Sequence, residues 1–324
     1  MNFQHIHPIE TDKQLLDVAF RRAREKSRQR NFKIHGLELQ KTIEQLKVDV
    51  IADVLLSRLQ QILDDFPKEN ELSAFYKELV YVTLDYTHYK KSLGAAHWAR
   101  GKIKDVQGII SSKVRKSHNS VEIKKWSAQF YGRVASLLKQ IAPELLYLSR
   151  CREIMRTYPD VKEMFTICLY GFPNVGKTTL LNQLAGTKAK VAAYAFTTTG
   201  INAGYTTIKE QKVQVLDVPG TLARPEKMNL IELQAELVRE KLASVLIFVV
   251  DASETGGYSL KQQLTLWERI HTPNTIVFFS KLDLVSKKQQ QLAEESFKGP
   301  MVHSVAKLCT MLTDFLPKKE MIEE

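Results

Sequence analysis

Along the first half of the chain, apolar residues recur at three- and four-residue steps, the spacing of one buried helical face. Leu39, Ile43, Leu46, Val50, Val54, Leu55, Leu59 and Ile62 mark a helix from Gly36 to Phe66, which Pro67 ends. A second long helical stretch runs from Leu72 through Phe75, Leu79, Val82 and Tyr86 toward Lys116. Within it Gly94, Gly101 and Gly108 fall at seven-residue intervals. A row of glycines lets a neighbouring helix or an RNA backbone come close, and helix packing is the first expectation. Ser120, with Glu122 in the first turn, reads as the cap of a third helix. Pro143, with Leu145, Leu146 and Leu148 behind it, suits the first turn of a fourth. No strand pattern precedes residue 165.

After Tyr158–Asp160 the pattern changes. Short apolar runs at 166–171, 201–209, 212–218, 244–251, 274–280 and 300–305 alternate with helical segments. Such alternation predicts crossover connections and a mostly parallel sheet with helices on both faces. The expected organisation is an α-helical bundle over 1–160 followed by an α/β domain over 161–324.

Composition narrows the class. With 44% hydrophobic and 26% charged residues in 324, the chain can build real cores, which excludes disorder and a disulfide-stapled scaffold. The longest apolar run, Val245 to Val250, is strand-sized and far short of the ~18 residues of a membrane span. The N-terminus lacks the basic-then-apolar order of a secretory signal, so a soluble, cytoplasmic protein without a membrane partner is expected. Cys151, Cys168 and Cys309 are far apart and read as buried thiols in a reducing compartment. The net charge of +11 is uneven: residues 1–160 carry 28 Lys and Arg against 19 Asp and Glu, and 161–324 carry 19 against 17. A basic half implies either a polyanionic partner or a set of solvated helix faces.

GFPNVGKT, Gly171 to Thr178, carries the clearest chemistry. It fits G-x-x-x-x-G-K-[ST] after an apolar strand and before a helix, the arrangement that turns backbone N–H groups onto phosphates. Gly171, Phe172, Pro173, Asn174, Val175, Gly176, Lys177, Thr178 and Thr179 are the candidate phosphate-binding residues. Lys177 would meet the β and γ phosphates, and the Thr178 hydroxyl would bind Mg²⁺. DVPG, Asp217 to Gly220, ends a later strand, where Asp217 would reach Mg²⁺ and the Gly220 N–H would sense the γ-phosphate. FTTTG, Phe196 to Gly200, lies between these segments, where a switch threonine belongs. In SKLD, Ser280 to Asp283, Asp283 can accept from the N1–H and amine of guanine, which adenine cannot satisfy. Ser304 follows the last strand and would lie against the base. The ordered set predicts a GTPase using GTP/GDP and Mg²⁺.

YAFTTTGINAG at 194–204 resembles the switch region of the Obg-like GTPases. LLDVAFRRAREKSRQR at 15–30, THYKKSLGAAHWARGKIKDV at 87–106, RPEKMNLIELQAEL at 224–237 and VVDASETGGYSLKQQL at 249–264 are similar to one branch, the nucleolar GTP-binding (Nog-type) proteins, in a compact, archaeal-type form. The resemblance implies a helical N-terminal domain, a GTPase domain and a role in maturing the large ribosomal subunit. It places Thr198 on Mg²⁺, with Thr197 and Thr199 as alternatives, and Lys281 and Asp283 around guanine. The family motif begins with Asn where this chain has Ser280, and a hydroxyl replaces only one of the amide's hydrogen bonds.

Thr221 follows DVPG where Ras-like enzymes carry a water-positioning glutamine, so slow intrinsic turnover is expected, with Lys177, Thr198 and Gly220 as the catalytic set. Asn174 matches the asparagine that holds K⁺ in related GTPases; the alternative is a loop residue that tolerates a left-handed turn. Arg224 reads as a switch-surface residue, and His271 and His303 as strand-end residues. RRAREKSRQR at 21–30, with six Arg or Lys in ten positions, and SSKVRKSHNSVEIKK at 111–125 form basic clusters. Lys90, Lys91, Arg100, Lys102 and Lys104 lie among Tyr86, Tyr89 and Trp98, which would serve as core or as stacking platforms. Phosphate neutralisation there would give affinity without sequence readout. Ribosomal RNA as the polyanion, bound through residues 1–160, is implied by the resemblance. The expected switch enzyme docks on a large-subunit precursor and is monomeric when free. The alternative is a structural rRNA placeholder whose nucleotide only stabilises the fold.

Overall fold

The computed structural model describes residues 2–30, 33–185, 201–219 and 230–317, with backbone only at 230 and 231. The chain forms two compact units, one of Phe3–Leu72 with Val80–Arg156 and one of Ser73–Leu79 with the chain from Thr157 onward.

The first unit is built on α1 (Asp12–Gln29), α2 (Gly36–Asp65), α4 (Tyr86–Lys116) and α5 (Ser120–Met155); α3 (Ala74–Thr83) precedes α4 in the chain. α1 packs along α2, and α4 along both α2 and α5. Thr11 starts α1 with a reciprocal cap: its hydroxyl accepts from the Gln14 N–H at 3.3 Å and its N–H donates to the Gln14 side chain at 2.9 Å. The second helical stretch read from the sequence is two helices. The Asp85 carboxylate accepts the His88 N–H at 3.0 Å and opens α4 afresh, so the continuous apolar spacing hides a capped break.

Residues 120–155 form one helix rather than two, with Pro143 inside it and Asn119, not Ser120, as its cap. Ile123, Phe130, Val134, Leu138, Ile141, Leu145 and Leu148 make an unbroken seam, each no more than 3% exposed. Each such burial stabilises by about 1.5–3 kcal/mol. Together they outweigh the ~3 kcal/mol that an interior proline costs by removing an N–H.

Gly94, Gly101 and Gly108 are exposed on α4, and a Cβ added at any of them meets nothing within 4 Å. Helix packing does not explain the row. Nor is Trp98 core: it is 42% exposed, whereas Tyr89 is buried with its hydroxyl donating to the Pro67 carbonyl at 2.9 Å. Arg21, Arg22, Arg24, Lys26 and Arg28 are exposed on α1, whose buried side carries Leu15, Ala19 and Ala23.

In the second unit, β1 (Thr166–Tyr170), β2 (Asn202–Ile208), β3 (Gln211–Asp217), β4 (Val245–Asp251), β5 (Thr275–Ser280) and β6 (Met301–Val302) form one sheet ordered β2-β3-β1-β4-β5-β6. All neighbours are parallel except the β2–β3 hairpin. β4 is buried at every position, as a strand covered on both faces requires. The helices are α6 (Lys177–Ala185), α7 (Leu230–Lys241), α8 (Leu260–Ile270), α9 (Lys287–Ser296) and α10 (Val305–Leu312), with α6 packed on β1–β3 and α8 on β4. Tyr76 belongs to this unit: its hydroxyl donates to the Pro159 carbonyl at 2.8 Å and accepts the Val161 N–H at 2.9 Å.

Cys151 and Cys168 are buried, and burial pushes both thiols up, Cys151 to about 11. Cys309 departs from expectation and is half-buried. No helix among the described residues is long and apolar enough to cross a membrane.

Candidate functional site

Strand β1 ends at Tyr170 and the chain turns at once through Gly171 to Gly176 into α6. Gly171 has φ 145°, and a Cβ there would lie 2.7 Å from the Val249 carbonyl oxygen, so only glycine fits beside β4. Asn174 at φ 62° and Gly176 at φ 99° complete the loop. Asn174 has the left-handed backbone that its turn reading described, and its exposed position is equally compatible with the ligand role of the other reading. Phe172 and Val175 are buried beneath the loop, while Asn174 is exposed.

Lys177 is 7% exposed and reaches back into the turn it follows, donating from Nζ to the Phe172 carbonyl at 2.8 Å and the Gly171 carbonyl at 3.1 Å. Burial lowers its pKa, while Asp217 works in the opposite direction. The Thr178 hydroxyl donates to Asp217 Oδ2 at 2.6 Å. Asp217 closes β3, is 5% exposed, and is raised by burial against the pull of Thr178, Lys177 and Asn202. A hydroxyl and a carboxylate meeting beside a buried ammonium form an all-oxygen donor pair, which fits Mg²⁺. Asn202 was missed in the sequence. It stands opposite Asp217 in the β2–β3 register and hydrogen-bonds its side chain, so pairing the two apolar runs as a hairpin could have found it.

A cleft of about 390 Å³ opens beside the loop, lined by Gly176, Thr179, Gln183, Ser280, Lys281, Asp283 and His303 among others. Asp283 is exposed in the short turn Leu282–Leu284, with its carboxylate available at the cleft wall. Ser280 differs from expectation. Its hydroxyl lies 2.6 Å from the Val175 carbonyl and 3.0 Å from that of Val250, so it ties the end of β5 to the phosphate loop and is engaged with backbone rather than offered to a base. Lys281 is left-handed at φ 51°, and its ammonium meets Asp251 Oδ2 at 2.7 Å. Ser304 does not line the cleft. It is exposed, and its hydroxyl caps α10 by accepting the Lys307 N–H, because the strand ends two residues earlier. Its neighbour His303, read from sequence as a strand-end residue, lines the cleft and stacks on Phe279 at 5.6 Å.

The structure therefore brings Gly171–Thr179, Asp217, Ser280, Lys281 and Asp283 around one loop and one cleft. Thr198 and Gly220 lie outside the described residues, as do Thr197, Thr199, Thr221 and Arg224.

Two family models match in tandem: the NOG1 N-terminal helical domain over residues 3–162 and a 50S ribosome-binding GTPase domain over 166–281. The chain is 37% identical over 251 residues to an uncharacterised protein of Methanocaldococcus jannaschii, covering 76% of this chain and 71% of that protein. It is 30% identical over 300 residues to nucleolar GTP-binding protein 1 of Drosophila melanogaster, covering 91% and 46%, and 29% over 311 residues to the Dictyostelium discoideum counterpart, covering 94% and 46%. It spans about half the length of these two eukaryotic relatives. A helical unit of the NOG1 type, joined to a phosphate loop on a mostly parallel six-stranded sheet, places the chain in the nucleolar GTP-binding protein 1 family of GTPases.

Proposed function

We propose that this chain is a cytoplasmic GTP-hydrolysing factor in maturation of the large ribosomal subunit, with residues 1–160 docking on rRNA and 161–324 carrying the nucleotide. The observation that carries the nucleotide reading is the Thr178–Asp217 pair beside buried Lys177, which follows directly on a phosphate loop whose Gly176 lines the same cleft as Asp283. Lys177 meets the β and γ phosphates, Thr178 and Asp217 hold Mg²⁺, and Asp283 accepts from guanine N1–H and its amine. When bound, Mg²⁺ neutralises charge on the phosphate oxygens while water converts GTP to GDP and phosphate. GDP binds far more tightly than ADP on this reading, and comparable affinities in a competition titration would sink it.

Thr221 in place of a water-positioning glutamine supports slow turnover. Asn174, exposed on the outer turn of the phosphate loop, would hold K⁺ in this proposal, and the cation would supply positive charge against that developing on the phosphates. Turnover is then faster in KCl than in NaCl, and equal rates would count against the cation. The ribosomal half rests on the matched 50S ribosome-binding GTPase family and on the exposed arginines of α1. Its test is co-sedimentation of the tagged protein with ribosomal particles from its own cells. Retention on large-subunit precursors with a non-hydrolysable GTP analogue, and release with GDP, is expected. Absence from every ribosomal fraction would overturn the proposed partner.

A further inference from the structure

The geometry points to Asp251 as a positioning residue that couples the base side of the nucleotide site to its phosphate side. This rests on reading the cleft as a guanine-nucleotide site. Asp251 ends β4, is 1% exposed, and is not among the residues that line the cleft. It acts through two neighbours.

Toward the base, Asp251 Oδ2 anchors the Lys281 ammonium at 2.7 Å, and the Thr255 hydroxyl oxygen lies 3.1 Å from the same nitrogen. A free lysine side chain has several rotatable bonds and forms a poor wall. Fixed at its tip by a buried carboxylate, Lys281 presents its alkyl stem to the cleft in one position, with its charge neutralised.

Toward the phosphates, the same Oδ2 accepts the Gly256 N–H at 2.9 Å, and Oδ1 accepts from the N–H and hydroxyl of Ser253. The 252–258 segment is thereby wrapped around the carboxylate and pressed onto the phosphate loop. A Cβ at Gly256 would stand 3.2 Å from Asp251 Oδ2 and 3.3 Å from the Asn174 carbonyl oxygen, so a side chain there would push the carboxylate and the phosphate loop apart by a few tenths of an ångström. Two residues on, Tyr258 stacks on Phe172 with ring centroids 4.4 Å apart. The Gln263 side chain holds the centre still, accepting the Asp251 N–H at 2.9 Å and donating to its carbonyl at 3.0 Å. A continuous path therefore runs from Lys281 through Asp251 and Gly256 to Asn174 and Phe172.

Lys281→Met in the full chain tests the path, because it keeps the stem and removes the anchor. Two equilibrium constants are measured with Mg²⁺ present: that of fluorescently labelled GDP, and that of inorganic pyrophosphate as its competitor. Pyrophosphate has no base, so a lysine serving only the base wall leaves its binding alone. Coupling predicts that Lys281→Met weakens GDP at least tenfold and pyrophosphate at least threefold. Asp251→Asn should do the same, and the double variant should be no worse than the more affected single one. If Asp251→Asn fails to fold, Lys281→Met with Thr255→Val, which removes the hydroxyl beside the ammonium, carries the same comparison. Pyrophosphate binding within a factor of two of the parent in folded Lys281→Met overturns the coupling, as do effects that multiply in the double variant. A parent that binds no GDP overturns the nucleotide reading as well, so the two failures are told apart.

Discussion

A hydroxyl proton can be given to one acceptor at a time, and Ser280 has two carbonyl oxygens within reach. The shorter contact, 2.6 Å to Val175, joins β5 to the phosphate loop across 105 residues of sequence. Ser280→Ala leaves the carbonyl of buried Val175 short of a partner, which costs about 1–3 kcal/mol. A lowered denaturant midpoint together with weaker GDP binding is expected, and an unchanged midpoint would contradict the tether. The glycines, Lys177 and Thr178 were legible in the sequence because wrapping a phosphate dictates residue types at fixed spacing. Ser280 was legible as a departure but not in its role, since its partners are backbone atoms of remote segments that no motif records. The same holds for Ser304, whose hydroxyl serves its own helix, and for His303, whose place in the cleft depends on where a two-residue strand ends.

At the scale of elements, α4 and α5 are joined by a polar cluster as well as by their apolar seam. Glu144 accepts from the Ser92 hydroxyl at 2.6 Å and pairs with His88 at 2.9 Å and Lys91 at 3.2 Å, while His88 stacks on Tyr147 at 3.7 Å. The Ser92 hydrogen bond, with Lys91 and His88, holds the Glu144 carboxyl below its ordinary 4.5 against the effect of burial. A carboxyl depressed in the folded protein stabilises it fully above the unfolded value and loses that contribution as pH falls through the folded one. Urea midpoints should therefore drop as pH is lowered from 5 through 4.5 and below, and Glu144→Gln should flatten that limb. An identical pH profile in the variant would exclude the cluster as a source. Apolar spacing foretold helices here but joined α4 to α3 and split α5 at Pro143, because a continuous apolar pattern hides the cap that opens α4 and α5 carries its seam through the proline. In the other unit all six strands were visible in the sequence: β1, β4 and β5 are parallel and buried almost throughout and read as near-unbroken apolar runs, while β2, β3 and β6 showed as shorter or mixed runs between turn signals.

For the whole molecule, the excess of positive charge is concentrated in residues 1–160, where 28 Lys and Arg face 19 Asp and Glu. If rRNA docking uses this charge, affinity of the full chain for rRNA falls steeply with salt. Six to ten phosphate contacts correspond to a loss of roughly 10³–10⁵ between 50 and 200 mM. A titration that shows no salt dependence over that range would leave the basic faces as ordinary solvated surface. The charge count could not distinguish these outcomes, because solvated helices carry similar mixtures of Lys, Arg and Glu.

The unequal burial of the three thiols has a practical consequence. Cys151 and Cys168 are sealed in their cores, whereas half-buried Cys309 sits on α10, which packs against α6 at the end of the phosphate loop. A maleimide fluorophore would therefore attach at one position without any cysteine first being removed. Its emission would then report on α10, the helix packed against the one that begins with Lys177, and a change on adding GDP is the expected outcome.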